Sequence, residues 1–261
     1  MIKTGFLYSL LFGLLISSAN SQTSNNKTPE KMDLYLLIGQ SNMAGRGLID
    51  SNTANEGNAQ LFMFTKNEDW LPAKHPLHFD KPKMVGVGPG MAFGIEMLGH
   101  QKRPIGLIPC AVGGTSINSW QPGGYDSATK THPYDDALLR LQKALLSGTL
   151  KGIIWHQGEA DSPEEKRKDY LEKLTLLIER WRSIVQNPNL PFVAGEIGNF
   201  NEVHQTFNQA LNALPTLVKN TGLVSANGLI DKGDHLHFDG PSAHELGKRY
   251  AAKMKELQKQ F

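Results

Sequence analysis

The stretch Leu34–Gly47, LYLLIGQSNMAGRG, constrains the fold more than any other part of the chain. Its first five residues are almost wholly apolar, as expected of a strand buried on both faces in a parallel sheet. Gly39 ends the run, and Ser41 follows between Gln40 and Asn42. A serine just past the carboxyl end of a core strand sits at the sheet edge where open α/β folds bind ligands. The pattern is not G-x-S-x-G, so the lipase nucleophile elbow does not apply. Gly, Ser and Asn are also ordinary turn formers, and alone the stretch fits a plain polar turn equally well.

The residues ahead of this strand read as a targeting segment. Lys3 precedes the apolar run Gly5–Ile16, and Ala19 and Ser21 are small residues at the positions a signal peptidase reads. Residues 1–21 are therefore a predicted signal peptide, cleaved after Ser21, which implies a secreted or periplasmic location. The apolar run is short for a membrane span, so no stable membrane insertion is expected after cleavage. Residues 22–31 are polar and read as a disordered leader. Residues 32–261 then form one domain, since no repeat or Gly/Ser-rich linker divides them. The formal charge of +2 falls to +1 without Lys3, which gives no electrostatic case for nucleic acid. Cys110 is the sole cysteine; it lies in an apolar run and reads as a buried thiol. An exported chain without disulfides suits a bacterial periplasm or surface.

Beyond the first strand, Leu48–Gly90 is long, polar and rich in Pro, Gly and His, with apolar islands such as Leu61–Phe64. It reads as irregular structure over the serine edge. The later elements alternate. Helices are predicted over Met91–His100, Pro133–Ser147, Pro163–Gln186, Glu202–Lys219 (interrupted near Pro215) and Pro241–Gln258. Strands are predicted over Ile105–Val112, Lys151–Trp155, Pro191–Ile197 and Leu223–Ala226. Alternation of this kind makes a mostly parallel five-stranded sheet, covered by helices on both faces in a three-layer α/β/α sandwich.

Polar groups follow four of these segments. Ser41 follows the first strand, Gly113 and Gly114 the second, and Gln157 the third; Asp234 and His237 precede the last helix. Ester hydrolysis uses such parts. A serine hydroxyl needs a base, and imidazole titrates near working pH. A carboxylate fixes the imidazole tautomer, and preorganised donors hold the oxyanion.

Four blocks carry a family resemblance: GQSNM around Ser41, AVGGTSI from Ala111, WHQGEAD from Trp155, and D-x-x-H at Asp234–His237. With His75–Phe93, they resemble SGNH-type hydrolases, and more narrowly carbohydrate esterase family six and the sialate O-acetylesterase-like group. The resemblance implies a flavodoxin-like fold and no cofactor. It implies Ser41 as nucleophile, His237 as base and Asp234 as its orienter. The implied oxyanion hole is the N–H of Ser41, the N–H of Gly113 (Gly114 being the alternative) and the Gln157 side chain. Glu159 is implied by the block match as a bracing group, and Gln40, Asn42, Arg46, Gly114 and Trp120 are further candidates for bracing or substrate binding from their places in the chain.

The expected activity is removal of O-acetyl groups from carbohydrate through an acetyl-enzyme, with acetylated xylan or a related polysaccharide as the leading substrate class. De-O-acetylation of sialic acid is the alternative, and a carbohydrate-binding protein on the same scaffold is a more distant one. Trp120 and Tyr125 lie in a Gly/Pro-rich loop from which aromatics can stack on a sugar ring, whereas Trp181 has the spacing of a core residue. His235, His237, Asp239 and His244 lack the ordered spacing of a zinc site.

Overall fold

The computed structural model describes Met1 and residues 31–100 and 102–259. The predicted signal peptide and most of the leader lie outside the described residues. In chain order the elements are β1 (Met32–Gly39), α1 (Ser41–Ala44), β2 (Leu61–Phe64), β3 (Trp70–Pro72), α2 (Pro89–Leu98), β4 (Ile105–Pro109), α3 (Pro133–Ala144) and β5 (Gly148–His156). Next come α4 (Glu164–Arg167), α5 (Tyr170–Ile184), β6 (Phe192–Gly195), α6 (Glu202–Leu211), α7 (Leu214–Leu217), β7 (Thr221–Val224) and α8 (Gly240–Gln258).

The sheet has seven strands in the order β3-β2-β4-β1-β5-β6-β7. The five predicted strands form its parallel body. Two more come from the segment expected to be irregular: the island Leu61–Phe64 pairs parallel to β4, and β3 closes that edge antiparallel. Both are too short to show a periodic signal, which is why sequence reasoning passed over them.

Alternation along β1 sorts its side chains between two cores. Leu34, Leu36 and Ile38 join the core under α3, α5 and α6. Tyr35 and Leu37 join the core under α2 and α8. Each fully buried side chain of this kind contributes about 1.5–3 kcal/mol relative to exposure.

Other departures are local. The long predicted helix after Pro163 is broken into α4 and α5, because Asp169 leaves helical geometry at φ −110°, ψ 9°. The interruption near Pro215 is real: α6 ends at Leu211, and Pro215 sits in the first turn of α7, where its missing N–H costs nothing. Strand β4 stops at Pro109, although Cys110 N and Val112 N still donate to Leu37 O and Gly39 O (2.9 and 3.0 Å). The register then explains the site. Leu37 pairs with Pro109, and Gly39 pairs with His156. Strands β4, β1 and β5 therefore end at one edge, and Ser41, Gly113 and Gln157 all follow at that edge.

Candidate active site

The chain leaves β1 through a tight crossing. Gly39 adopts φ +131°, and a Cβ there would overlap the backbone of His156, so only glycine fits. Gln40 N donates to His156 O (2.9 Å), which starts α1 at Ser41. Ser41 is the first helical residue, so its N–H has no intrahelical acceptor. Gly45, at φ 94°, ends the helix after one turn.

The loop before α8 is built from carboxylates that fold backbone around themselves. Asp231 Oδ1 accepts from Gly233 N and His235 N. Asp234 Oδ1 accepts from Leu236 N (3.1 Å) and His237 N (2.8 Å). Such Asx turns are local and strong for Asp. The second one turns the imidazole toward the other oxygen of the same carboxylate: His237 Nδ1 lies 2.8 Å from Asp234 Oδ2. On the far side, His237 Nε2 lies 3.0 Å from Ser41 Oγ. An ionised carboxylate can only accept, so the imidazole proton resides on Nδ1 and Nε2 accepts from the serine hydroxyl.

Burial pushes Asp234 upward, but the backbone and ring N–H of His237 and the N–H of Leu236 outweigh it and hold its carboxyl well below the usual range. His237 moves down from its ordinary 6.5: desolvation, the largest influence, together with the charges of Arg46 and Lys232 outweighs the upward pull of Asp234. The imidazole is thus neutral at pH 7. Chemically, this is a serine hydroxyl with a ready proton acceptor whose cationic form has a carboxylate behind it.

Ser41 and His237 open on a pocket of about 320 Å³, also lined by Gln40, Arg46, Lys81, Met84, Gly113, Gly114, Glu159, Ala160 and Leu236. Asn42 braces it. Its amide donates to Glu159 Oε1 and Leu236 O and accepts from Phe238 N. Glu159 is enclosed against Asn42, and burial pushes its carboxyl up to about 7. Gln40 Oε1 accepts from Gln157 Nε2 (3.1 Å), tying β1 to the loop after β5.

For three expected residues the structure shows polar groups or side chains engaged elsewhere. The Gln157 side chain is fully buried, and its amide nitrogen is shared among Gln40 Oε1, Thr115 O and Asp161 Oδ2. It braces the site's floor and offers no free donor to the pocket. The Gly113 N–H already donates to Asp80 Oδ2 (2.8 Å), and that carboxylate also pairs with Arg46 (2.7 Å). Gly113 does lie beside the nucleophile, since a Cβ on it would press on Ser41 Cβ, Arg46 and Asp80, but its amide reaches an oxyanion only if Asp80 releases it. Gly114, the alternative, lines the same pocket at φ +91°. Trp120 is 1% exposed, packs edge-on against Trp155 and donates to Thr115 Oγ1, so it is a core residue out of reach of a sugar.

Tyr125 is exposed against the His132 ring and does not line the Ser41 pocket. His235 is largely exposed beside Asp231, and His244 bonds Glu56. Among the described residues no group of three His, Cys, Asp or Glu is arranged to hold a metal ion, and no helix is long and apolar enough to cross a membrane. Cys110 is buried, and desolvation pushes its thiol up to about 11. Asp80, Lys81 and Asp161 were not singled out from sequence. Asp80 and Lys81 lie in the HFDKPK stretch of a loop without periodicity. Asp161, four residues after Gln157, receives Gln157 Nε2, Ser116 Oγ and Ile117 N.

The fold and the Ser41 edge define an SGNH-type hydrolase. The chain belongs to the carbohydrate esterase, sialic acid-specific acetylesterase family, whose model matches residues 31–256. A probable carbohydrate esterase of Arabidopsis thaliana is 30% identical over 234 residues, covering 82% of this chain and 86% of that protein. The crystal structure of an Arabidopsis thaliana protein superposes with a TM-score of 0.77 at 29% identity, covering 86% of this chain and 98% of that one. Human sialate O-acetylesterase is 28% identical over 188 residues, 58% of this chain but 35% of that protein. The crystal structure of NanS shares the fold, with a TM-score of 0.69 at 16% identity over 89% of this chain and 99% of that one.

Proposed function

We propose that the chain is an exported serine esterase that removes O-acetyl groups from carbohydrate through an acetyl-enzyme. The observation that carries the reading is the continuous chain of hydrogen bonds from Asp234 through His237 to Ser41. Ser41 Oγ attacks the acetyl carbon as His237 Nε2 takes its proton. Asp234 holds the imidazole and answers its positive charge. The oxyanion meets the N–H of Ser41 and an amide of the Gly113–Gly114 turn. His237 then returns the proton to the departing sugar oxygen, and water repeats the sequence on the acetyl-enzyme. Membership of a carbohydrate esterase family supports the ester and the sugar; export and cleavage after Ser21 rest on the sequence of residues 1–21.

A neutral acetylated polysaccharide such as xylan is the leading substrate. The pocket's arginine supports this, because Arg46 is already paired with Asp80 and is not free to clamp a substrate carboxylate. Sialate de-O-acetylation is the second reading, favoured by the family's description and by Lys81 at the pocket.

Acetate release from acetylated xylan, O-acetylated sialic acid and an aryl acetate tests both. Release from xylan that disappears in Ser41→Ala supports the first. Release only from sialic acid transfers the reading to the second. No release from any of the three, or near-normal release by folded Ser41→Ala or His237→Ala, overturns the mechanism.

A further inference from the structure

Asn42 stands next to the nucleophile and straddles the base. Its Nδ2 donates to Leu236 O (3.0 Å), and its Oδ1 accepts from Phe238 N (3.1 Å). Leu236 and Phe238 are the two chain neighbours of His237, so one amide on α1 grips the backbone on both sides of the imidazole. The grip works in one orientation only. Rotated by half a turn, the amide would set oxygen against Leu236 O and nitrogen against Phe238 N. The second N–H of Asn42 donates to Glu159 Oε1, and that bond selects the working orientation. Glu159 is thus a carboxyl tied to the base's support that the reaction itself does not use.

We propose that Glu159 is a positioning residue for His237, acting through Asn42. The inference rests on the esterase reading above and names how that site keeps its base aligned with Ser41.

The surroundings fix the form in which Glu159 does this. From β5, the nearest titratable group is His156, whose Nε2 lies 3.9 Å from Glu159 Oε1. Tyr250 OH, from α8, donates to Trp155 O (2.7 Å) and so accepts from His156 Nδ1 (3.0 Å). The His156 proton is therefore on Nδ1, and Nε2 presents a lone pair. Asp161, on the same loop, and the Tyr170 and Tyr250 hydroxyls offer no positive charge. The pocket's cations, Arg46 and Lys81, face it across the cavity, with Arg46 spent on Asp80. Glu159 Oε2 is buried without a partner. With no cation in contact and the carboxyl enclosed, the neutral acid is the form favoured below about pH 7. Its carbonyl oxygen then accepts from Asn42 without adding a negative charge beside the developing oxyanion. Ionisation at higher pH would add that charge.

The test compares Glu159→Ala with Glu159→Gln on an aryl acetate, with Ser41→Ala as the control for the parent reading. Glutamine keeps an uncharged oxygen for Asn42; alanine keeps none. The expected result is a fall in kcat of about 10- to 100-fold in Glu159→Ala, as displacement of a reacting group by an ångström would give, with KM changed far less. Glu159→Gln should recover most of that loss and remove the alkaline decline expected of wild type near pH 7. NMR of the His237 ring protons gives a readout independent of turnover, and its resonances should shift or broaden in Glu159→Ala and return in Glu159→Gln. Asn42→Ala should reproduce the alanine phenotype, with no further loss in the double variant, and it carries the test if Glu159→Ala does not fold. Equal loss in Glu159→Gln and Glu159→Ala, or an undisturbed His237 spectrum in Glu159→Ala, overturns the proposal. A wild type without activity would overturn the esterase reading alone, because the NMR comparison still decides the role of Glu159.

Discussion

Arg46 Nη2 and Asp80 Oδ2 lie 2.7 Å apart with both side chains almost wholly enclosed, and the same Asp80 oxygen holds the Gly113 amide. A buried pair of this kind contributes little net stability as a pair, whereas loss of one partner leaves an uncompensated charge and costs about 3–5 kcal/mol. Arg46→Met should therefore lower the urea unfolding free energy by that order. Arg46→Met combined with Asp80→Leu should recover much of it. Additive losses in the double variant would show that the two side chains are not coupled.

Replacement of Asp234 by asparagine separates turn-making from charge. The asparagine oxygen can still accept from Leu236 N and His237 N, so the loop should hold and Tm should change little. The amide no longer fixes the His237 tautomer or stabilises the imidazolium, and kcat on an aryl acetate should fall by about 10⁴-fold, the scale set by the equivalent change in serine proteases. A loss of tenfold or less would remove Asp234 from the mechanism.

The acid limb of kcat/KM reports the free His237 imidazole. Desolvation takes this group below its ordinary 6.5, against the pull of Asp234. Activity needs the neutral base, so the limb should have its midpoint below pH 6.5. Removing the Asp234 charge deletes an influence that raises His237, and the residual activity of Asp234→Asn should have its limb at still lower pH. A limb that moves upward would contradict this balance.

The legible parts of this chain were those with a long signal or a local cause. Strand β1 and helices α3 and α8 show in apolar spacing, and the D-x-x-H loop shows because one carboxylate organises both the backbone and the ring of His237. Contacts across the sheet edge were not legible. Asp80 reaches Gly113 over 33 positions and Arg46 over 34, with no spacing that links them. Gln157 was expected to face the pocket because it follows β5 at the right edge. The structure turns it inward to Asp161 and Thr115 O, a choice set by partners distant in sequence. Trp120 stood in a loop that reads as exposed, yet Trp155 and Thr115 enclose it.

Enclosure of Trp120 makes it a stability residue. Trp120→Ala should cost about 3–5 kcal/mol from lost burial and cavity formation, read by urea denaturation. Trp120→Phe should cost less and leave KM for an acetylated oligosaccharide near wild type. A raised KM for the oligosaccharide with unchanged stability would restore the sugar-stacking role.

Acid stability should depend on two buried histidines and be opposed by one buried acid. Desolvation pushes His156 down to about 3, and also His78 to about 4 against the pull of Asp80. Below pH 6.5 the unfolded chain binds these protons first, so the native state loses stability as pH falls toward those values. Glu159 is raised to about 7, so its contribution is present below its unfolded value and lost as pH rises. Between about pH 4.5 and 6.5 the two histidines outweigh the one acid by about one proton, or about 1.4 kcal/mol per pH unit. Urea denaturation at pH 6.5 and 4.5 measures the slope. His156→Asn keeps a donor for Tyr250 without a titrating ring; it should be less stable at pH 6.5 but lose little between the two pH values. A wild-type slope in that variant would show that His156 is not the group protonated on unfolding.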